Sequence, residues 1–167
     1  MKIRLNLVFN HNMSKILTEQ NKIEIIRTPS FLVTTPSIPH IDKYDGGHLI
    51  LTPLPEVVDR IELSDSQSLE IMKLSGICGL ALKEVLSKQG ILVERINYQD
   101  NGNWSYLLGK EPKMHIHIYG RAKNAIKQTW GQGTYFPDPH SGFYDNHKPL
   151  TDKDIEEIRE IILNLTK

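Results

Sequence analysis

The chain reads as short runs in which apolar and polar positions alternate, broken by proline and glycine, with two longer stretches of helical spacing. Ile3, Leu5 and Leu7 alternate with Lys2, Arg4 and Asn6, which predicts a short strand, and Asn10 to Ser14 reads as a turn or a loose arm. Lys22 to Arg27, with Ile23, Ile25 and Ile26, predicts a second strand. Thr28-Pro29-Ser30 interrupts it before Phe31 to Thr35, another strand. Pro36 to Pro39 rules out a central strand there, because proline cannot donate to the ladder. Asp45-Gly46-Gly47 is a turn signal, and His48 to Thr52 is a short β-rich run ended by Pro53 and Pro55. The runs on either side of this loop are expected to pair as a hairpin-like unit.

The longest helical pattern starts at Ser64, whose side chain suits a cap with Gln67 three positions on, while Asp65 complements the helix dipole. It is expected to run to about Lys88, with Gly90 just beyond, and to bury Ile71, Leu74, Cys78, Ala81, Leu82 and Val85. Gly76 and Gly79 cost helix propensity, which points to close packing against a neighbour. Ile91 to Tyr98 predicts a strand, Gln99 to Asn103 a turn, and Trp104 to Leu108 a short extended run. A last helix begins at the Thr151 cap and carries Ile155, Ile158, Ile162 and Leu165 as its apolar stripe.

One alternating run carries chemistry-bearing side chains: Lys113-Met114-His115-Ile116-His117-Ile118-Tyr119-Gly120-Arg121. A strand would set Lys113, His115 and His117 on one face, roughly 7 Å between neighbours, and Met114, Ile116 and Ile118 on the core face. Imidazole is the side chain best placed to titrate near neutral pH. Spacing alone leaves three roles open: structural or solvated histidines, a metal pair, or catalytic chemistry.

Composition narrows the setting. The 167 residues suit one domain with a real core, and there is no internal repeat or low-complexity linker. Twenty basic and 20 acidic residues balance, so nothing supports an extended nucleic-acid surface, although a local cationic pocket is compatible with that balance. Cys78 stands alone, which excludes an intrachain disulfide and a multi-cysteine zinc site; its apolar helical setting predicts buried filler. No apolar run approaches a membrane span, and Met1 to Val8 lacks the continuous apolar region of a signal peptide. A soluble cytoplasmic protein without membrane partners is the expectation.

Met114-His115-Ile116-His117-Ile118-Tyr119-Gly120 resembles the signature of the histidine triad (HIT) family, in which histidines alternate with hydrophobic residues before a short apolar pair and often a glycine. Aligned on the glycine, His115 takes the middle position, His117 the third, and Lys113 the place of the first histidine. Gly47 to Pro53 is similar to the family's second strand, with His48 at its supporting histidine. The family's loop of phosphate-contacting donors follows a strand ending in Gln or Asn; Gln99, Asn103 and Ser105 are the candidates here, each also suited to turn chemistry. The family's ribose-binding acid falls near Thr35, with Asp42 and Asp45 further along. The resemblance covers roughly residues 22 to 125. Beyond it, the spacing from Asn103-Trp104 to Trp130-Gly131 and Phe136-Pro137 resembles a bacterial branch of the family.

The resemblance implies an α+β chain of HIT-like fold: an antiparallel β-sheet packed with a long central helix and a C-terminal helix. It implies one domain over 1–167, with its core at about 22–125 and an extension at 126–167, and a homodimer. In that extension Trp130, Tyr135 and Phe136 are expected to cover the sheet or to line a subunit contact or pocket rim. The glycines among them lack a P-loop ending. His140 and His147 read as solvent-exposed loop residues, and His11 has no assigned role.

By resemblance, His115 attacks the α-phosphate of a nucleoside phosphoramidate or dinucleoside polyphosphate and forms a nucleotidyl-histidine. His117 then bonds the phosphate or leaving group, Lys113 adds charge, and His48, Gln99, Asn103 and Ser105 hold the nucleophile or substrate. The scheme requires no metal and no cofactor. A catalytically weak nucleotide-binding module is the alternative, ahead of a zinc site built from His115, His117 and another histidine.

Overall fold

The computed structural model describes residues 21–100 and 104–167; the strand predicted over Ile3–Leu7 and the candidate Asn103 lie outside the described residues. Five strands form one sheet in the order β1-β2-β3-β5-β4. They are β1 (Lys22–Arg27), β2 (Phe31–Pro36), β3 (His48–Pro53), β4 (Val93–Gln99) and β5 (Ile116–Ala122), and every neighbouring pair is antiparallel. Helix α1 (Asp65–Ser87) links β3 to β4, and α2 (Asp152–Leu165) closes the chain. This is the α+β architecture expected from the sequence, including the hairpin-like pairing of β2 with β3.

Period-two alternation divides the sheet into two faces. Phe31 and Val33 of β2, Leu49 and Leu51 of β3, and Ile116 and Ile118 of β5 are buried in one apolar cluster. Ile71, Leu74, Cys78, Leu82 and Val85 of α1 and Ile155, Ile158 and Ile162 of α2 complete it. Each such side chain contributes about 1.5–3 kcal/mol when fully buried. Cys78 is filler, as its setting predicts, and burial pushes its thiol up to about 12, so it stays unreactive. The two helix starts are closed by reciprocal capping boxes, Ser64 with Gln67 and Thr151 with Asp154.

The opposite face carries the polar row. Thr34 pairs with Ile50, Ile50 with His117, and His117 with Gln99, so these four residues form a row across β2, β3, β5 and β4. The next row along the sheet contains His48, Tyr119 and Asn97.

Three local features depart from the sequence reading. Trp104–Leu108 is a 3-10 turn rather than an extended run. Bonds from Gly109 N to Tyr106 O (3.1 Å) and Lys110 N to Ser105 O (3.0 Å) close it, with Gly109 at φ +64°. β5 begins at Ile116, so Lys113, Met114 and His115 lie ahead of the ladder; Met114 N bonds instead to Val57 O at 2.8 Å. Of the two helical glycines, only Gly79 serves close packing: a Cβ there would collide with the Tyr98 hydroxyl, whereas Gly76 faces open space.

Gly120, which ends the histidine run, has a specific cause. Gly46, at φ +131°, crosses directly over it, and Gly120 N donates to Gly47 O at 3.2 Å. A Cβ on either Gly46 or Gly120 would strike the other's backbone carbonyl, so both positions require glycine. The loop before β3 is thereby pressed onto β5. Asp42 holds the same loop by accepting from Tyr44 N, Lys148 N and Lys127 Nζ, and Asp45 by accepting from Ile126 N and Lys127 N. Lys43 forms a buried 2.6 Å ion pair with Asp154 at the start of α2. No helix among the described residues is long and apolar enough to cross a membrane.

Candidate active site

Four histidines meet on the polar face. The His40 backbone N–H donates to His48 Nδ1 at 3.2 Å. A backbone amide can only donate, so His48 carries its proton on Nε2 and donates it to His117 Nδ1 at 2.8 Å. His117 is then protonated on Nε2, which lies 3.0 Å from His115 Nε2. His115 Nδ1 lies 2.7 Å from the Lys113 carbonyl, an acceptor, and carries the proton. The chain of donors therefore runs His40 to His48 to His117 to His115 and ends on His115 Nε2, which carries no proton and accepts from His117 Nε2–H. That nitrogen belongs to a half-buried ring, while His48 and His117 are buried.

Electrostatics keep all four rings neutral. Loss of hydration, with the like imidazoles adding to it, holds His48 and His117 well below the ordinary histidine value. His40 is held down to about 3, first by burial and then by His115 and His147. His115 is also lowered by burial, though its bond to the Lys113 carbonyl opposes this. A neutral imidazole is the nucleophilic form.

His40 had no signal in the sequence. It follows Pro39 in an irregular loop, and its surroundings come from distant segments: its Nδ1 lies 2.7 Å from the Tyr119 hydroxyl, and its ring sits 5.0 Å from Trp104, 5.9 Å from Phe136 and 6.0 Å from Tyr144. Only the folded chain brings these together.

The remaining candidates fall in different places. Gln99 pairs directly with His117, and its buried Oε1 has no hydrogen-bond partner. Ser105 lies half-buried on the turn before the motif. Lys113 does not point its ammonium along the row: Nζ pairs with Glu56, and it is the Lys113 carbonyl that meets His115. Thr35 donates to His48 O, and Asp42 and Asp45 are spent on the loop contacts above.

The segment after β5 folds over the Tyr119 end of this face. Buried Arg121 donates to Thr129 O, Gln132 O and Thr134 Oγ1, and Asn97 also donates to Thr134 Oγ1. Phe136 covers Tyr119 at 5.2 Å, whereas Trp130 and Tyr135 remain largely exposed. His140 is exposed as expected. His147 is not; it is buried against Phe143 and Tyr144, with Nδ1 2.9 Å from Pro39 O. The polar sequence around it hid the aromatic packing that buries it.

His40, His48 and His117 also place nitrogens within 4.8 Å of one another, a spacing that could hold a metal ion. This set differs from the His115-based zinc reading of the sequence. An ion there would have to take lone pairs already used between His40, His48 and His117.

The fold is that of the HIT-like class. The chain is similar to a histidine triad protein from Bradyrhizobium japonicum, with a TM-score of 0.59 and 19% identity over 92% of this chain and 96% of that one. It is also similar to a histidine triad protein from Marinobacter aquaeolei, with a TM-score of 0.57 and 15% identity over 86% and 88% of the two chains. A hypothetical histidine triad nucleotide-binding protein from Sulfolobus tokodaii gives a TM-score of 0.55 and 16% identity over 91% of each chain. No protein-family model and no curated protein matches the sequence.

Proposed function

We propose that this protein is a nucleotide hydrolase or nucleotidyltransferase that cleaves at the α-phosphate of a nucleoside phosphoramidate or dinucleoside polyphosphate through a nucleotidyl-His115 intermediate. The observation that carries the reading is the directed hydrogen-bond chain that leaves Nε2 of neutral, half-buried His115 without a proton, as the acceptor from His117 Nε2–H. The nucleotide-binding description of the Sulfolobus tokodaii protein agrees with it.

In this scheme the His115 Nε2 lone pair forms a bond to phosphorus as the bond to the leaving group breaks and its electron pair departs with that group. The ring becomes cationic, and its Nδ1–H strengthens its bond to the Lys113 carbonyl. His117 Nε2–H loses His115 as its acceptor and turns to a phosphoryl or leaving-group oxygen. The Gln99 amide and Ser105 are the further donors, and water or a second acceptor releases the nucleotide in the next step.

Acid-labile label is expected on His115 when the protein is mixed with substrate labelled in the nucleoside and quenched before turnover is complete. Peptide mapping that finds no label on His115 while AMP is released would defeat the mechanism. A catalytically weak nucleotide-binding module is the second reading, favoured by the turn of Lys113 toward Glu56 and away from the row. It expects nucleotide binding with no AMP release.

A homodimer fits the same reading. Leu69, Met72 and Leu80 leave an exposed apolar stripe on α1, and exposed Tyr98 lies beside it on the edge strand β4. Light scattering should give twice the chain mass; a monomer would remove the dimer from the proposal.

A further inference from the structure

The bond that sets the direction of the proton chain is made by a loop. His40 lies between the end of β2 and the turn at Lys43–Asp45, outside any ladder, yet its backbone N–H is the first donor, 3.2 Å from His48 Nδ1. That distance is at the long end for a hydrogen bond, so a small shift of the loop breaks it. Three contacts hold the loop. His147 Nδ1–H donates to Pro39 O at 2.9 Å, and the Asp42 carboxylate accepts from Tyr44 N, Lys148 N and Lys127 Nζ. The third acts on residue 40 itself: the Tyr119 hydroxyl lies 2.7 Å from Nδ1 of the His40 ring.

Tyr119 is a rigid reference point. It is fully buried on β5 and stands directly opposite His48 in the ladder. Its ring is stacked on His117 at 5.3 Å, with 7° between the planes, and Phe136 covers it at 5.2 Å. A buried tyrosine hydroxyl calls for a polar partner, and His40 Nδ1 supplies one. The contacts form a circuit that begins and ends on β5: Tyr119 hydroxyl to His40 ring, His40 amide to His48, and His48 to His117.

Without the His40 amide, His48 is free to carry its proton on Nδ1, and the chain reverses. His48 Nε2 then accepts from His117 Nδ1–H, and His117 Nε2 has no proton. Two unprotonated nitrogens, His117 Nε2 and His115 Nε2, face each other at 3.0 Å, because the Lys113 carbonyl keeps the His115 proton on Nδ1. His117 also has no proton left for a phosphoryl oxygen. We propose that Tyr119 is a positioning residue: its hydroxyl, through the His40 loop, fixes the direction of the proton chain and keeps His117 Nε2–H as the donor beside His115. Its part in turnover rests on the reading of His115 as the nucleophile; its part in setting the tautomers does not.

The test is Tyr119→Phe, which keeps the ring and removes the oxygen, with His40→Leu as a second route to the same loss. Long-range proton–nitrogen correlation spectra at pH 7.5 report the histidine tautomers. Wild type is expected to show His48 and His117 protonated on Nε2. In Tyr119→Phe both rings should shift towards the Nδ1–H form. The kcat for AMP release from adenosine 5′-phosphoramidate should fall about tenfold, the worth of one buried group left without its partner, with KM within about twofold. His40→Leu should do the same, and the double variant should fall no further than either single one, because all three remove one bond. A folded Tyr119→Phe protein with wild-type tautomers on both rings overturns the proposal, whatever its rate. So does a change of tautomers with kcat unchanged. If Tyr119→Phe fails to fold, the same outcomes are read on His40→Leu. If wild type releases no AMP, the catalytic reading fails separately, and the tautomers alone decide the role of Tyr119.

Discussion

His115→Ala is expected to release AMP at least about 10⁴-fold more slowly than wild type while binding AMP within about threefold. The two halves of this expectation have separate causes. Turnover is lost because alanine removes the unprotonated Nε2 on which the hydrogen-bond chain ends, and neither His48 nor His117 can replace it. Both nitrogens of each ring are engaged, and both rings are buried whereas His115 is half-buried. Binding is retained because the groups proposed to hold phosphate, His117 Nε2–H and the Gln99 amide, lie on β5 and β4 and do not depend on the His115 side chain for their positions. Loss of the 3.0 Å contact to His115 even frees the His117 proton for ligand. Steady-state AMP release and calorimetry on the same preparations read the two quantities. Turnover unchanged in the variant would remove His115 as nucleophile, and binding lost along with turnover would make it a ligand contact instead.

What the sequence made legible follows from the range over which each feature is encoded. The strands read at Lys22–Arg27, Phe31–Thr35 and His48–Thr52 and both helices are written in local periodicity and caps, and they form, two of the strands running one residue further, to Pro36 and Pro53. His117 was placed correctly on a face opposite Ile116 and Ile118 because parity within a strand is local. Lys113 was not, because that parity argument needs a strand, and the ladder begins only at Ile116. His40 and His147 were missed for a different reason. Their burial comes from aromatic residues contributed by segments more than 60 positions away for His40 and by a turn-rich stretch for His147, and neither leaves a periodic trace. Asp42 and Asp45 show the converse case: acids close to the expected ribose position serve instead to fasten the loop that delivers His40.

The same cluster should make the fold sensitive to mild acid, with stability falling steeply as pH drops from about 6.5 towards 5. His40, His48, His117 and His147 all have folded-state pKa values below the ordinary histidine value, in each case first through burial. No carboxylate is hydrogen-bonded to any of the four rings among the described residues. His40 faces His48, Tyr119 and three aromatic rings, and His117 faces His40, His48 and His115. Asp42 and Asp45 act on His147 only at longer range. Below pH 6.5 the unfolded chain binds protons that the folded chain refuses, so the stabilisation present above that value is lost as pH falls towards the folded pKa values. For His40, held down to about 3, the loss amounts to about 2 kcal/mol by pH 5. His48, His117 and His147 add to it in the same direction. Urea midpoints at pH 7.5 and 5.0 measure the sum, and His40→Gln should flatten the slope between them by the share of one proton. Equal midpoints at the two pH values would mean that the cluster accepts protons without opening. The chain of neutral rings would then not be what fixes the lone pair on His115.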